Sequence, residues 1–434
     1  MDENSNYHQI AQFSARDAEA FVKYEKFLNQ LVDSIDPLFD VAPPRFSSNT
    51  RGLAGNWDNL QSWRELMRAL GKFRGIFPDV YELITAPIAK VLNKRFESDP
   101  LKATLATDGL IGSSLGPSSA GSGYVLLHHV MGRLEGRKGA WAYVEGGMGA
   151  VAETLANVLR SAGGEIMCNH EVEQILVFDG KVEGVQLKGG EEVKAKMVLS
   201  GATVRETMLK LLPEGSLDLS VKAEVEGIDY SSPVVKINVA MSRIPDFSKS
   251  GNIVQPHHRA TIHLNSENMG MLESAHKDYI AGKPSEKPFM EMVIPSSLDP
   301  TIAPPGAHVA LLFIQYIPYA VTKLWKEKER TDFAQKVFKQ IDDYAPGFSA
   351  SVVGYEVLTP DILESTFGLT GGNIFHGALS WDQLFFSRPS SNLHGYRTPI
   401  QGLYLCGSGC HPGGGVTGAP GRLGALTALQ DFRR

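Results

Sequence analysis

The chain has 434 residues, 43% hydrophobic and 21% charged, with a net charge of -6. That composition describes a globular protein of two or three domains or one interleaved pair, and no basic cluster interleaved with aromatics offers a nucleic-acid site. Three cysteines argue against a disulfide framework and for a reducing compartment, and no apolar run is long enough to span a bilayer.

The chain opens on MDENSNYHQI, acidic and polar, which is neither a signal peptide nor an Arg-rich transit peptide. Ser14 and Asp17 then mark a helix start, and Phe21, Tyr24, Leu28, Leu31 and Ile35 keep helical spacing until Pro37. A second helix is expected at about Leu60–Leu70. A third, Val80–Phe96, carries Leu83, Ile84, Ile88, Val91 and Leu92 on one side. That stripe reads as buried core, with peripheral membrane contact as the alternative. Asp108–Gly123 is a Gly/Ser/Pro loop containing Gly112-Ser113-Ser114-Leu115-Gly116, a formal G-x-S-x-G match. Pro117 follows it, so the helix that a nucleophile elbow needs cannot start there.

Ala140–Val144 reads as a short strand, followed by Gly146-Gly147-Met148-Gly149 and a helix with Val151, Leu155, Val158 and Leu159 on one face. Glu165–Phe178, the Asp179-Gly180 turn and Lys181–Leu187 form a hairpin, since Asp-Gly supplies the positive φ of a two-residue turn. Met197–Ser200 is a further strand. Gly147-x-Gly149-x-x-Ala152 fits the dinucleotide fingerprint, with Glu165 or Glu171 near the acidic position. The strand before it is short and a hairpin follows, so it reads as the edge of a cofactor domain rather than a primary NAD site.

From Ser232 the pattern changes. Val234–Met241, Phe289–Ile294 and Val309–Tyr316 are strands without intervening crossover helices, which predicts a mostly antiparallel sheet. Val321–Tyr344 is a charged amphipathic helix and Ser351–Leu358 another strand. The segment from Gly368 to Phe386 carries Phe375, Trp381, Phe385 and Phe386 beside His376 and Asp382, and reads as a lining loop between domains. Last come an apolar strand (Leu403–Cys406), eight glycines between Gly407 and Gly424, and an Ala/Leu-rich helix. Strand, glycine turn and helix bring bare N–H groups and a helix N-terminus to an anion or polarised ring. Gly418, Gly421 and Gly424 leave one helix face bare for close packing.

Cys406-x-x-x-Cys410-His411 has the wrong spacing for a haem-attachment or dithiol motif and lacks a nearby fourth zinc ligand, so Cys406 reads as a small buried residue. His128-His129, His257-His258 and His263 have no carboxylate in helical register and read as structural.

HPGGGVTG (411–418), NIFHGALSWDQLFF (373–386) and the Gly146–Met148 hairpin region occur in this order in one family. On these motifs the chain resembles the phytoene desaturase and carotenoid isomerase-like flavoproteins of the flavin amine oxidase superfamily. The resemblance implies an α/β plus α+β fold, in which a Rossmann-like FAD/NAD(P)-binding domain interleaves with an antiparallel-sheet-and-helix substrate domain. The segments would be 1–139 (helical part of the substrate domain), 140–205 (FAD-domain helix and hairpin), 206–395 (substrate domain with its sheet) and 396–434 (FAD-domain strand, loop and helix). It implies FAD as cofactor. Val172 would face the adenine, and Gly407 and Ser408 the ribityl–pyrophosphate part. Gly415, Val416 and Thr417 would line the isoalloxazine's pyrimidine edge, with Gly414 also among the cofactor-binding residues. Ser408 stands where many superfamily members place an acidic residue. His411 is the candidate catalytic residue, with a hydrogen bond to the glycine turn as its structural alternative.

The implied activity is an FAD-dependent oxidoreductase, desaturase- or isomerase-like, acting on a hydrophobic small molecule. The alternative is a non-catalytic lipid- or protein-binding fragment with a regulatory role. Relatives open with a strand–GxGxxG–helix unit. The residues before Ser14 are fewer than the about 30 that a βαβ unit needs, so the N-terminal unit is expected to be missing and activity reduced. The resemblance implies mitochondria, and the visible sequence otherwise the cytoplasm.

Overall fold

The structure is a computed structural model that describes residues 3–44, 52–134, 137–138, 142–249 and 251–433. Helices α1 (Glu3–Ala11), α2 (Ala15–Phe39), α3 (Gly52–Lys72), α4 (Phe77–Thr85), α5 (Ile88–Asn93), α6 (Asp99–Thr107) and α7 (Ser122–Val130) come first. Ser14 caps α2, its hydroxyl accepting the Asp17 N–H at 3.1 Å. The Asp17 carboxylate accepts the Glu97 and Ser98 N–H groups at 2.9 and 2.8 Å, which ties the start of α2 to the start of α6.

Helix α2 does not stop at Pro37 but runs on to Phe39. Proline removes one helical donor; the Asp33 carbonyl that this leaves free accepts from Lys72 Nζ at 3.1 Å. The expected single helix over Val80–Phe96 is two. Ala86, the residue before Pro87, is extended (φ -80°, ψ 161°), the conformation that proline forces on its predecessor. The apolar stripe of both helices is buried: Leu83, Ile88, Val91 and Leu92 pack with Tyr24, Leu28, Leu31 and Leu126 in a first core.

Strands β1 (Arg133–Leu134) and β2 (Arg137–Lys138) precede α8 (Met148–Ser161). Residues 142–144 are not a strand, and Ala140 and Trp141 lie outside the described residues. Then come β3 (Val172–Phe178), β4 (Lys181–Leu187), β5 (Glu192–Lys194) and β6 (Val198–Ser200). Asp179 and Gly180 take φ of 47° and 70°, as the two-residue hairpin turn requires. The expected strand from Glu165 begins only at Val172.

Helix α9 (Leu219–Glu226) leads to a five-stranded antiparallel sheet of β7 (Val234–Met241), β8 (Ile262–Leu264), β9 (Phe289–Val293), β10 (His308–Gln315) and β11 (Val352–Leu358). Its order is β11-β7-β10-β9-β8. Helix α10 (Met269–Ile280) lies between β8 and β9, α11 (Tyr319–Thr322) and α12 (Glu327–Asp342) follow β10, and α13 (Phe348–Ser351) precedes β11. The helix expected over Val321–Tyr344 thus begins at Glu327, with α11 a separate turn. One sheet face packs Ile237, Met290, Met292, Leu312 and Ile314 against Phe333, Val337 and Phe338 of α12 in a second core. Because side chains alternate along a strand, the other face carries Phe289, Glu291, Phe313 and His263.

After α14 (Pro360–Phe367), a loop of short 3-10 turns leads to β12 (Leu403–Leu405) and α15 (Ala419–Phe432). Strand β12 pairs in parallel with β6, Leu403 opposite Val198 and Leu405 opposite Ser200. A third core gathers Ile175, Val182, Val204, Met208, Val225, Tyr230, Tyr396 and Leu405. The segment boundary read at 205/206 therefore falls inside one packed unit. Among the described residues, no helix is long and apolar enough to cross a membrane.

Candidate cofactor site

The carboxyl ends of the parallel strands β6 and β12 lie side by side, which is where α/β sheets hold ligands. Past β6 comes Gly201; past β12 come Cys406, Gly407 and Ser408. The two backbones approach so closely that a Cβ on Gly407 would sit 2.5 Å from the Gly201 carbonyl oxygen. Helix α15 then packs flat on β12: a Cβ on Gly424 would lie 2.8 Å from that of Cys406. Gly421 also faces the Cys406 carbonyl, at 3.9 Å, whereas Gly418 is the cap, with φ 67° and open space around it. Two of the three spaced glycines thus make the close-packed face, and the third frees the helix start.

Residues 415–418 are exposed. Val416 is 77% exposed and holds φ of 45°, a region that β-branched residues avoid. Thr417 Oγ1 accepts the Ala419 N–H at 3.1 Å. The rest of the α15 N-terminus opens on the loop with the partial positive charge of a helix start.

Behind this loop lies Arg388, 2% exposed. Its two terminal nitrogens donate to the carbonyls of Phe375, Gly377, Ala378, Gln383 and Ser408. Among the described residues no carboxylate pairs with it, and its Nε has no partner. A Cβ on Gly413 would lie 3.5 Å from that Nε. Burial pulls the Arg388 pKa below its ordinary value. His128 reaches the loop from α7, with Nε2 3.6 Å from a Cβ placed on Gly415. Burial first, then His129 and Arg388, hold its pKa at about 4, against the Gly414 backbone bond that raises it. His376, backed against Gly409, has its pKa lowered by burial and by Arg388. His128 Nδ1, His376 Nδ1 and Arg388 Nε are all buried without a partner. Three orphan nitrogens around one glycine loop, beside the exposed backbone of residues 415–418, fit a large polar anion-bearing group.

His411 lies inside the protein wall. Its Nε2 bonds the Leu38 carbonyl at 2.9 Å rather than the glycine turn, and its own carbonyl accepts the Tyr396 hydroxyl at 2.8 Å. Burial holds its pKa at about 4. Phe39 and Phe385 flank the ring. Val172 is half-buried on the first rung of the hairpin sheet, opposite Leu187. Ser408 is half-buried, and its carbonyl is taken by Arg388 at 2.9 Å. In the aromatic segment, Phe375 lies against Gly414, its Cα 3.8 Å from a Cβ placed there, and packs on Val125 and Leu379, whereas Trp381 covers Gly121, where a Cβ would meet its indole nitrogen at 2.7 Å.

The Gly147/Gly149 turn differs. Among the described residues no strand leads into it, and the space around Gly149 is open, so the close helix–strand approach of the dinucleotide fingerprint is absent. The Ser114 hydroxyl bonds Ser231 and Tyr279, not a histidine. Cys406 is half-buried and Cys410 buried, both as free thiols, and burial pushes Cys410 up to about 12. Sequence reasoning missed Gly201 and Arg388. An arginine inside the apolar run Leu384–Pro389 was the available signal.

A parallel strand pair ending in a glycine cradle, set beside an antiparallel-sheet domain, defines a flavoprotein-type architecture. The profile of the flavin containing amine oxidoreductase family matches residues 43–420, and the chain belongs to that family. It is 49% identical over 440 residues to the pyridine nucleotide-disulfide oxidoreductase domain-containing protein 2 of Rattus norvegicus, covering 100% of this chain and 76% of the relative. It is 24% identical to the lycopene-forming phytoene desaturase of Pseudescherichia vulneris, over 97% of this chain and 77% of that protein. Cyclohexylamine oxidase from Brevibacterium oxydans shares the fold, with a TM-score of 0.51 at 14% identity over 95% of this chain and 75% of its own.

Proposed function

We propose that this protein is an FAD-dependent oxidoreductase of desaturase or isomerase type that acts on a hydrophobic small molecule. The observation that carries it is the buried Arg388 behind the glycine loop, which no carboxylate among the described residues pairs with, together with the partnerless nitrogens of His128, His376 and Arg388 itself. Burying a charge is costly unless something answers it, and an anionic cofactor does. The N–H groups of residues 415–418 and the start of α15 would hold the electron-rich edge of the ring, and Gly407 and Gly201 would let its polar tail lie against bare backbone. Neutral His128 fixes the Gly414 backbone. Phe375, 7% exposed, packs against Gly414 and shields that side of the loop from water. When bound, the flavin supplies hydride acceptance and return.

The test is the absorbance spectrum of the purified chain, before and after excess FAD and desalting. Flavin bands that persist support the reading; a colourless chain with no thermal gain from FAD removes it. Val416→Glu is expected to abolish retention without moving the melting temperature of the free chain, since Val416 is 77% exposed.

A second reading, binding of a lipid or protein partner without redox activity, is favoured by α8. It has no buried residue, and Leu155 and Val158 are 66% and 62% exposed. Only the first reading gives a yellow protein.

A further inference from the structure

Helix α3 buries Ser62, Glu65 and Ala69 and turns Leu60, Met67 and Leu70 to solvent, the first two more than half exposed. Trp63 and Leu66 are half-buried at the border. Polar and small residues inside, with larger apolar ones outside, reverse the pattern that folding rewards. After the 3-10 turn Phe73–Gly75, α4 adds Phe77 and Tyr81, one turn apart, both more than half exposed, their rings stacked at 6.3 Å. Val80 and Leu83 of the same helix are buried in the first core, so the two aromatics are what α4 leaves over. Exposed apolar surface concentrated in one short stretch marks an interaction site. Cations run beside it. Arg64, Arg68 and Lys72 recur every four residues, so they line one flank of α3, and Arg74 follows on the turn, all four exposed. The acids nearby are already answered. Glu65 takes both Arg64 and Arg68, at 3.5 and 2.9 Å, Asp79 faces Arg95 at 3.8 Å, and Glu82 faces Lys94 at 2.8 Å. One charge of the Arg64–Arg68 pair is therefore left over. Lys72 donates to a carbonyl, which does not neutralise it, and among the described residues Arg74 has no carboxylate partner.

We propose that the surface of α3, the turn after it and the start of α4 docks on an anionic lipid bilayer, its apolar row and the Phe77–Tyr81 pair entering the headgroup boundary and its cations meeting lipid phosphates. Apolar side chains with a basic flank are what lets a helix lie in the plane of the interface. Tyr81 suits that depth, with its ring toward the acyl chains and its hydroxyl toward water. The charge pattern selects a bilayer over a protein partner. The core of a protein interface is depleted of charge, whereas here arginines and a lysine run directly beside the apolar row. The chain as a whole carries -6, so an anionic membrane repels most of its surface and favours approach by the face that holds excess cations. The stripe of Leu83, Ile88, Val91 and Leu92 is closed to lipid because it lies in the first core, and the contact falls to the surface before it. Docking there holds the protein on the membrane without a spanning helix. The proposal is independent of the oxidoreductase reading.

The experiment is flotation of the full chain, without added flavin, on two sets of vesicles: phosphatidylcholine alone, and two parts phosphatidylcholine to one part phosphatidylglycerol. The expected result is flotation with the second set, little with the first, and release in molar sodium chloride, because salt screens the attraction to headgroups. Arg74→Gln weakens binding about five-fold, the effect of one basic residue at an anionic surface. Phe77→Ser with Tyr81→Ser weakens it about ten-fold or more, the effect of withdrawing aromatic surface from the apolar boundary. That double variant keeps the native melting temperature, since both rings are exposed. The proposal fails if the chain does not float with the anionic vesicles, if it floats equally with both sets, if molar salt leaves binding intact, if Arg74→Gln binds like the native chain, or if the double variant, melting like the native chain, still floats like it. A chain that stays off both vesicle sets and forms a dimer that the double variant loses assigns the face to a second copy and overturns the proposal. The response of the native chain to lipid charge and salt decides the matter even where a variant does not fold.

Discussion

Among the described residues, Arg388 is a guanidinium held by backbone carbonyls, five of them drawn from the aromatic segment and the glycine loop. It joins two segments that touch through no strand ladder, so its removal strips donors from buried acceptors. Each such acceptor left unsatisfied costs about 1–3 kcal/mol. Arg388→Met is expected to lose about 3 kcal/mol or more, read as a lower urea midpoint; a midpoint within error of the native chain would show that the carbonyls are solvated.

Glu291 gives a pH signature of a different kind. Burial lifts its folded-state pKa to about 8, above the ordinary 4.5. Between those values the folded chain holds a proton that the unfolded chain has released, so this residue's contribution to stability falls as pH rises through the window. Urea midpoints at pH 5 and pH 8 should therefore drop more in the native chain than in Glu291→Gln. Equal drops in both would mean that Glu291 is ionised in the fold.

At the scale of the element, α15 and β12 show how composition becomes geometry. The glycine spacing predicted a bare helix face. The structure puts that face on Cys406 with no room for a side chain at Gly424. Overpacking of this kind costs about 1–3 kcal/mol. Gly424→Val should lower the melting temperature and, by displacing the helix start, weaken FAD retention as well. Gly418→Ala meets no neighbouring atom, and its cost is confined to the strained positive φ. If the two variants were equally stable, the helix would not lie flat on the strand. The split of the expected Val80–Phe96 helix belongs to this scale too: Pro87 was visible in the sequence, but the continuous apolar stripe masked the break.

Among the described residues there are three large cores, one for the helices, one for the sheet with α12, and one for the hairpin with the parallel pair, and a small fourth around Val125, Phe375 and Leu379. Helix α8 belongs to none of them. It is amphipathic, and its apolar face is open to solvent. Charged substitutions there remove apolar surface without touching packing, and surface changes of that kind shift stability by no more than about 0.5 kcal/mol. Leu155→Glu with Val158→Lys should leave the melting temperature unchanged, read by calorimetry. A large loss of stability would show that α8 is packed in solution.

The sequence by itself determined a set of local features and the loop. Ser14 as a cap, the Asp179-Gly180 turn, the antiparallel strands after Ser232 and the glycine cradle between β12 and α15 are all written in neighbouring residues. Hydrophobic period, turn chemistry and missing Cβ atoms are local properties, and the family motifs are runs of the same local kind. The tertiary structure alone decided which side chains meet. His263 and Glu291 are brought together by a strand register, Arg388 and Ser408 by the approach of two loops, and His411 and Leu38 by helix packing across nearly the whole chain. Those pairings depend on how far-apart segments bury their surfaces together, and no periodicity in the sequence encodes that distance.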